Sequence, residues 1–197
     1  MANDDECLVE AELRARAAYA RPGRQYHDER HLDDCLARLD DIADLSEQER
    51  RLLGWAILWH DAVYDPQRED NEERSAELAR QELHSCGVGP TDADEVSRLI
   101  LLTKGHKVEP GDRLGALLVS IDLSILGAPM EEYDAYTRAV REEYAHVQDD
   151  AWRTGRAAVL QSLLAADPLY PDERFRQALE AQARRNMHAE LKALSEG

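Results

Sequence analysis

At 197 residues the chain is long enough for one domain with a substantial core, and its length does not call for two. Its 24 Lys and Arg against 41 Asp and Glu give a formal charge of −17, which repels polyanions and excludes a nucleic-acid polymer or an anionic membrane as partner of the surface as a whole. Hydrophobic residues at 43 % exclude a disordered chain, and a small anionic substrate stays compatible where a metal and a few basic side chains reverse the sign locally.

No stretch alternates in the manner of a strand. Apolar residues recur at three and four, as in Leu32, Cys35, Leu36, Leu39 and Ile42. Val, Ile and Thr are sparse, whereas Ala, Leu, Glu and Arg, good helix formers, are abundant. The expectation is an all-α, single-domain bundle over 1–197, with helices at about 5–20, 28–44, 47–64, 71–86, 91–105, 112–127, 131–146, 149–166 and 172–194. Ser46 with Glu49 forms a capping box ahead of an apolar run. Asn71 with Glu72 and Glu73 marks another start. Gly87, Gly105 and Gly127 sit where helices should stop, and the prolines from Pro66 onward fall in the connections.

The N-terminus is acidic and polar, without the basic start and apolar stretch of a signal peptide. The longest nearly apolar run, 114–130, is too short and too interrupted for a membrane span. Cys7, Cys35 and Cys86 are odd in number and widely spaced, so neither a disulfide framework nor a zinc ribbon is expected; a reducing, cytoplasmic setting fits best.

Two helices carry isolated charge. In residues 52–63 the ionisable side chains are His60 and Asp61 alone, and in 114–130 the one charged residue is Asp122. A helix without charges at every turn is expected to be buried all round, where a carboxylate is costly unless paired, hydrogen-bonded or bound to a metal. Neither segment supplies a Lys or Arg, and a metal ion would serve. Imidazole with carboxylate suits Mn, Fe, Co, Ni or Zn. His31 borders the stripe Leu32, Cys35, Leu36 and Leu39, which aims it inward; His27, one turn earlier, is placed at the rim. His84, His146 and His188 read as surface residues, as do Arg141 and Arg156.

This ordered set, a His, then His-Asp, then an Asp, resembles the HD superfamily of metal-dependent phosphohydrolases. The resemblance covers roughly residues 20–190 and maps the family's metal ligands onto His31, His60, Asp61 and Asp122. More narrowly, the chain is similar to small bacterial proteins described as predicted HD phosphohydrolases. The shared stretches are Arg24-Gln25-Tyr26-His27 with His31, then Trp59-His60-Asp61-Ala62-Val63-Tyr64-Asp65, then Asp70-Asn71-Glu72 with Ser75-Ala76. They continue through Thr103-Lys104-Gly105-His106, Asp122-Leu123-Ser124-Ile125-Leu126-Gly127, and Tyr136 with Arg141-Glu142-Glu143-Tyr144. A more distant similarity is to alarmone hydrolases, which carry His-Asp-x-x-Glu-Asp; here Asp65 matches and Tyr64 stands in place of the Glu.

The resemblance implies hydrolysis of a nucleotide or other small phosphate ester with a divalent ion (Mn, Fe, Co, Ni, Zn or Mg) activating water. Asp65 and Glu72 are the candidates for proton transfer, Glu72 alternatively serving only its helix N-terminus. Asp65 follows Asp61 by four residues, which would set both on one helical face. Arg24, on a loop from which its long side chain can swing over the pocket, with His27, Lys104 and His106, would line its mouth and hold phosphate. Tyr64 would stack on a base or pack at a helix end. A homodimer is compatible. The alternatives are an HD-fold regulator that binds metal or nucleotide without turnover, and a helical interaction module in which His60 and Asp61 are structural.

Overall fold

The computed structural model describes residues 2–196, with side chains from residue 5 onward. Among them are nine α-helices, one 3₁₀ turn and no strand. The helices are α1 (Ala2–Tyr19), α2 (Glu29–Asp40), α3 (Glu47–Trp59), α4 (Asn71–Ser85), α5 (Pro90–Leu102), α6 (Arg113–Asp122), α7 (Met130–Glu143), α8 (Asp149–Ala165) and α9 (Glu173–Glu196); the 3₁₀ turn, Leu123–Gly127, follows α6. The fold is thus all-α. No single helix among the described residues is long and apolar enough to cross a membrane. The backbone divides into two compact units, 1–118 and 119–197, and the division falls inside α6.

In the first unit α3 is the central element, packing against α1, α2, α4 and α5. It starts at the Ser46–Glu49 capping box, whose reciprocal bonds are both present. It buries Leu52, Leu53, Trp55, Ala56, Ile57 and Trp59, as its lack of charge implies. The helix stops at Trp59, five residues before the expected end at 64. At this point the amide of Asp61 donates to the Tyr19 hydroxyl (3.2 Å) instead of continuing the ladder to Ile57 O. The released Ile57 carbonyl accepts from His60 Nδ1 (2.7 Å) and from the Tyr19 hydroxyl (3.4 Å).

α1 docks through a narrow face of small residues, Ala11, Ala15 and Ala18, that ends in the fully buried Tyr19. Contrary to the expectation of unlinked cysteines, Cys7 in α1 and Cys86 at the C-cap of α4 form a disulfide, with Cα atoms 5.3 Å apart; Cys35 is buried beside His31. The pairing joins residues 79 positions apart, a proximity that only tertiary packing creates.

In the second unit α9 packs on the 3₁₀ turn and on α8. Asn186 Nδ2 donates to Leu126 O and Ala128 O, both at 2.9 Å, and the Tyr170 hydroxyl donates to Leu123 O at 3.1 Å. A side chain at Gly127 would place its Cβ 2.5 Å from Leu179 Cβ, so this glycine is needed for the close approach of α9. Arg156 is not on a solvated face: it is buried, with Nε donating to Glu190 Oε1 at 2.7 Å and Nη2 to the Tyr136 hydroxyl at 3.1 Å. Arg141 is half-buried, its guanidinium bonded to the carbonyls of Tyr144 and Val147 and lying over Trp152.

Candidate metal centre

His60 is the C-cap of α3 and 2 % exposed. A carbonyl only accepts, so the 2.7 Å contact with Ile57 O puts the ring hydrogen on Nδ1 and leaves Nε2 with a lone pair. That Nε2 lies 3.0 Å from His31 Nε2 and 3.1 Å from Asp61 Oδ2. His31 Nε2 and Asp61 Oδ2 are 3.8 Å apart. Two acceptor atoms such as His60 Nε2 and Asp61 Oδ2 repel at that distance unless a cation, proton or metal ion, lies between them. Ligand atoms about 2.1 Å from a common ion and at right angles sit about 3.0 Å apart, the spacing of two of these three pairs, and the third pair, at 3.8 Å, corresponds to a wider angle. The donor set, two imidazoles and a carboxylate, fits a divalent ion of the Mn-to-Zn series.

Asp122 is the last residue of α6, the helix that spans the division between the units. Burial pushes the Asp61 carboxyl up, but the positive charge that His60, His27 and His31 carry when protonated, with a proton held between His60 Nε2 and Asp61, outweighs it and holds the group well below the usual carboxylate range. The Tyr19 phenol is pushed far up by burial and by the nearby Asp61 charge, so it stays a neutral donor and acceptor.

The loop after α3 is held from three sides. Arg24 is buried rather than swinging over a pocket: Nη1 donates to His27 O and Asp61 O, both at 2.8 Å, and Nη2 to Ala62 O at 3.2 Å. Its guanidinium also packs on the rings of Tyr19 and Tyr64, at 5.1 and 5.4 Å from their centroids. From α4, Ser75 Oγ accepts from Val63 N–H (3.1 Å) and donates to Val63 O (3.2 Å). Asn71, one turn earlier, accepts from Asp65 N–H (3.1 Å) and donates to Asp65 O (2.9 Å).

The remaining expected site residues take varied places. His27 is half-buried and stacks on Tyr64, centroids 4.2 Å apart, which gives Tyr64 a packing role within the chain. Tyr26 lies against His31 at 4.8 Å. Asp65 is exposed, and its Oδ1 accepts from Gln67 N–H at 2.9 Å; because α3 has already ended, Asp61 and Asp65 do not share a helical face. Glu72 is half-buried in the first turn of α4. The Lys104 ammonium donates to Glu69 O (2.7 Å) and pairs with Glu73 on the surface. His106 is half-buried with φ +54°, a left-handed backbone unusual for a side chain of its size. His84, His146 and His188 are exposed, as expected.

Sequence reasoning passed over Tyr19 and gave Ser75 no role. The signal for Tyr19 is its place at the end of the Ala11, Ala15, Ala18 stripe; for Ser75 it is a small polar residue one turn after Asn71 on a helix face otherwise apolar. No protein-family model, curated protein or solved structure matches this chain.

Proposed function

We propose that the chain is a metal-dependent phosphohydrolase of the HD type, acting on a nucleotide or other small phosphate ester, with His31, His60, Asp61 and Asp122 as metal ligands. The observation that carries this reading is the geometry at His60: Nδ1 lies 2.7 Å from Ile57 O, while Nε2 lies 3.0 Å from His31 Nε2 and 3.1 Å from Asp61 Oδ2. A bound divalent ion supplies Lewis-acid polarisation of a phosphoryl oxygen and makes water acidic enough to attack near neutral pH. Both His31 and His60 are buried, and the Ile57 bond holds the His60 ring, so these two imidazoles are oriented before binding. Arg24 fixes the backbone that carries Asp61. Glu72 is the residue assigned to proton transfer, since the Asp65 carboxylate is already engaged with Gln67. His27 and His106 are assigned to the phosphate.

The competing reading is an HD-fold protein that binds metal and nucleotide without turnover. A panel of nucleotides, dinucleotides and simple phosphate esters, assayed with Mn²⁺, Co²⁺ or Ni²⁺ and with both phosphate and pyrophosphate measured, separates the two. Turnover abolished by Asp61→Ala supports the hydrolase. Nucleotide binding without product in any metal leaves the regulator.

A further inference from the structure

We propose that the Cys7–Cys86 disulfide regulates metal uptake: it closes one end of the α1–α4 pair, and the opposite end of that pair grips the backbone bearing Asp61. The proposal rests on the metal-centre reading above.

α1 and α4 are in contact, with Cys7 near the start of one and Cys86 at the end of the other. Tyr19 lies 12 residues after Cys7 and Ser75 lies 11 before Cys86, about 18 and 16 Å along their helices. At that far end both helices hold the same short segment. α1 holds Asp61 N–H and Ile57 O through the Tyr19 hydroxyl. α4 holds Val63 through Ser75 and Asp65 through Asn71. Between the two ends Arg14 pairs with Glu82 at 2.6 Å.

α1 depends on the link more than a typical helix would. Its buried face is built from alanines, which bury little apolar area each, and Val9 and Leu13 are 55 % and 62 % exposed. Removing the covalent tie frees the start of α1 and widens the range of positions open to Tyr19. Asp61 then samples geometries in which its Oδ2 no longer faces His60 Nε2. The oxidised chain is therefore the better metal binder.

The chemistry is thiol–disulfide exchange with a small-molecule disulfide. One protein thiolate attacks it and releases one small thiol, and the second cysteine displaces the other. Two electrons pass from the cysteines to the small molecule, which leaves as two thiols. Cys7, half-buried, is the accessible partner, and Cys86 is 3 % exposed.

The test uses the full chain, metal-free, titrated with Mn²⁺, an ion that thiolates bind poorly, and free Mn²⁺ read by electron paramagnetic resonance. Reduction, with the reductant then removed under inert gas, should raise the Kd roughly tenfold, and Cys7→Ser/Cys86→Ser should match the reduced chain. By reciprocity, saturating Mn²⁺ should make the disulfide harder to reduce by about 30 mV, the equivalent of tenfold. Equal affinity within about twofold in both redox states overturns the proposal and leaves the metal centre standing. Loss of helical circular dichroism on reduction overturns it in favour of a purely structural disulfide. Failure of the oxidised chain to bind Mn²⁺ at all removes the metal reading and the switch together.

Discussion

Replacing Arg24 by methionine keeps most of the side-chain volume and removes the guanidinium that ties the loop carrying Asp61 to its surroundings. Three backbone carbonyls lose a charged donor, those of His27, Asp61 and Ala62, and the rings of Tyr19 and Tyr64 lose a cation. A hydrogen bond to a charged group nets about 1.5 kcal/mol at the low end, so three contribute about 4.5, and the two ring contacts add about 1. Relief from holding a guanidinium at 9 % exposure returns part of this. The expected net loss is about 3 kcal/mol, or a fall in Tm of about 6–12 °C for a chain of this size. Because Asp61 O is one of the three acceptors, Mn²⁺ affinity should fall roughly tenfold as well. Urea unfolding and Mn²⁺ titration of the same preparations measure both. The sequence reading of Arg24, a long side chain swinging from a loop over the pocket, leads to a different outcome: a raised KM or lowered kcat/KM with metal content unchanged. A loss under about 0.5 kcal/mol with unaltered Mn²⁺ binding would refute the clamp.

Ser75→Ala leaves Val63 N–H and O without their buried partner and should cost about 2–3 kcal/mol by urea unfolding, with Ser75→Thr recovering part of it. Asp61→Ala should eliminate both stoichiometric Mn²⁺ and hydrolysis; full metal retention rules Asp61 out as a ligand. Asp112 caps α6 by accepting from Gly115 N–H, and Asp112→Ala should cost about 1–2 kcal/mol. Burial pushes the Asp112 carboxyl up, but the Arg98 hydrogen bond and the Gly115 amide hold it below its ordinary value of 3.8. Its contribution is thus complete above pH 3.8 and lost as the pH falls below it, so wild-type stability should drop more steeply in that range than that of Asp112→Ala.

The helices were legible because helical periodicity and capping are local. The Ser46–Glu49 box starts α3 where the sequence places it, and the charge-free run to Trp59 is buried as its composition requires. The end of α3 was not legible, because it is imposed by the Tyr19 hydroxyl, 42 residues away from the amide it receives. The same early stop separates Asp61 from Asp65, which a continued helix would have set on one face. His60 and Asp61 could be singled out since isolated ionisable groups on an apolar helix need a partner. Arg24 could not be told from a phosphate-binding arginine, since its acceptors are carbonyls, which no side-chain pattern encodes. The Cys7–Cys86 pairing was hidden for a similar reason: spacing along the chain carries no trace of which helix ends meet.

The central claim, a metal centre built on His60 Nε2, is tested most directly by elemental analysis of the full chain after Mn²⁺ loading and desalting, beside His60→Ala treated identically. Retained, near-stoichiometric Mn²⁺ in the wild type, lost in His60→Ala while helical circular dichroism is kept, is the expected result. Equal metal in the two proteins, or none in either across Mn²⁺, Co²⁺, Ni²⁺ and Zn²⁺, would contradict it.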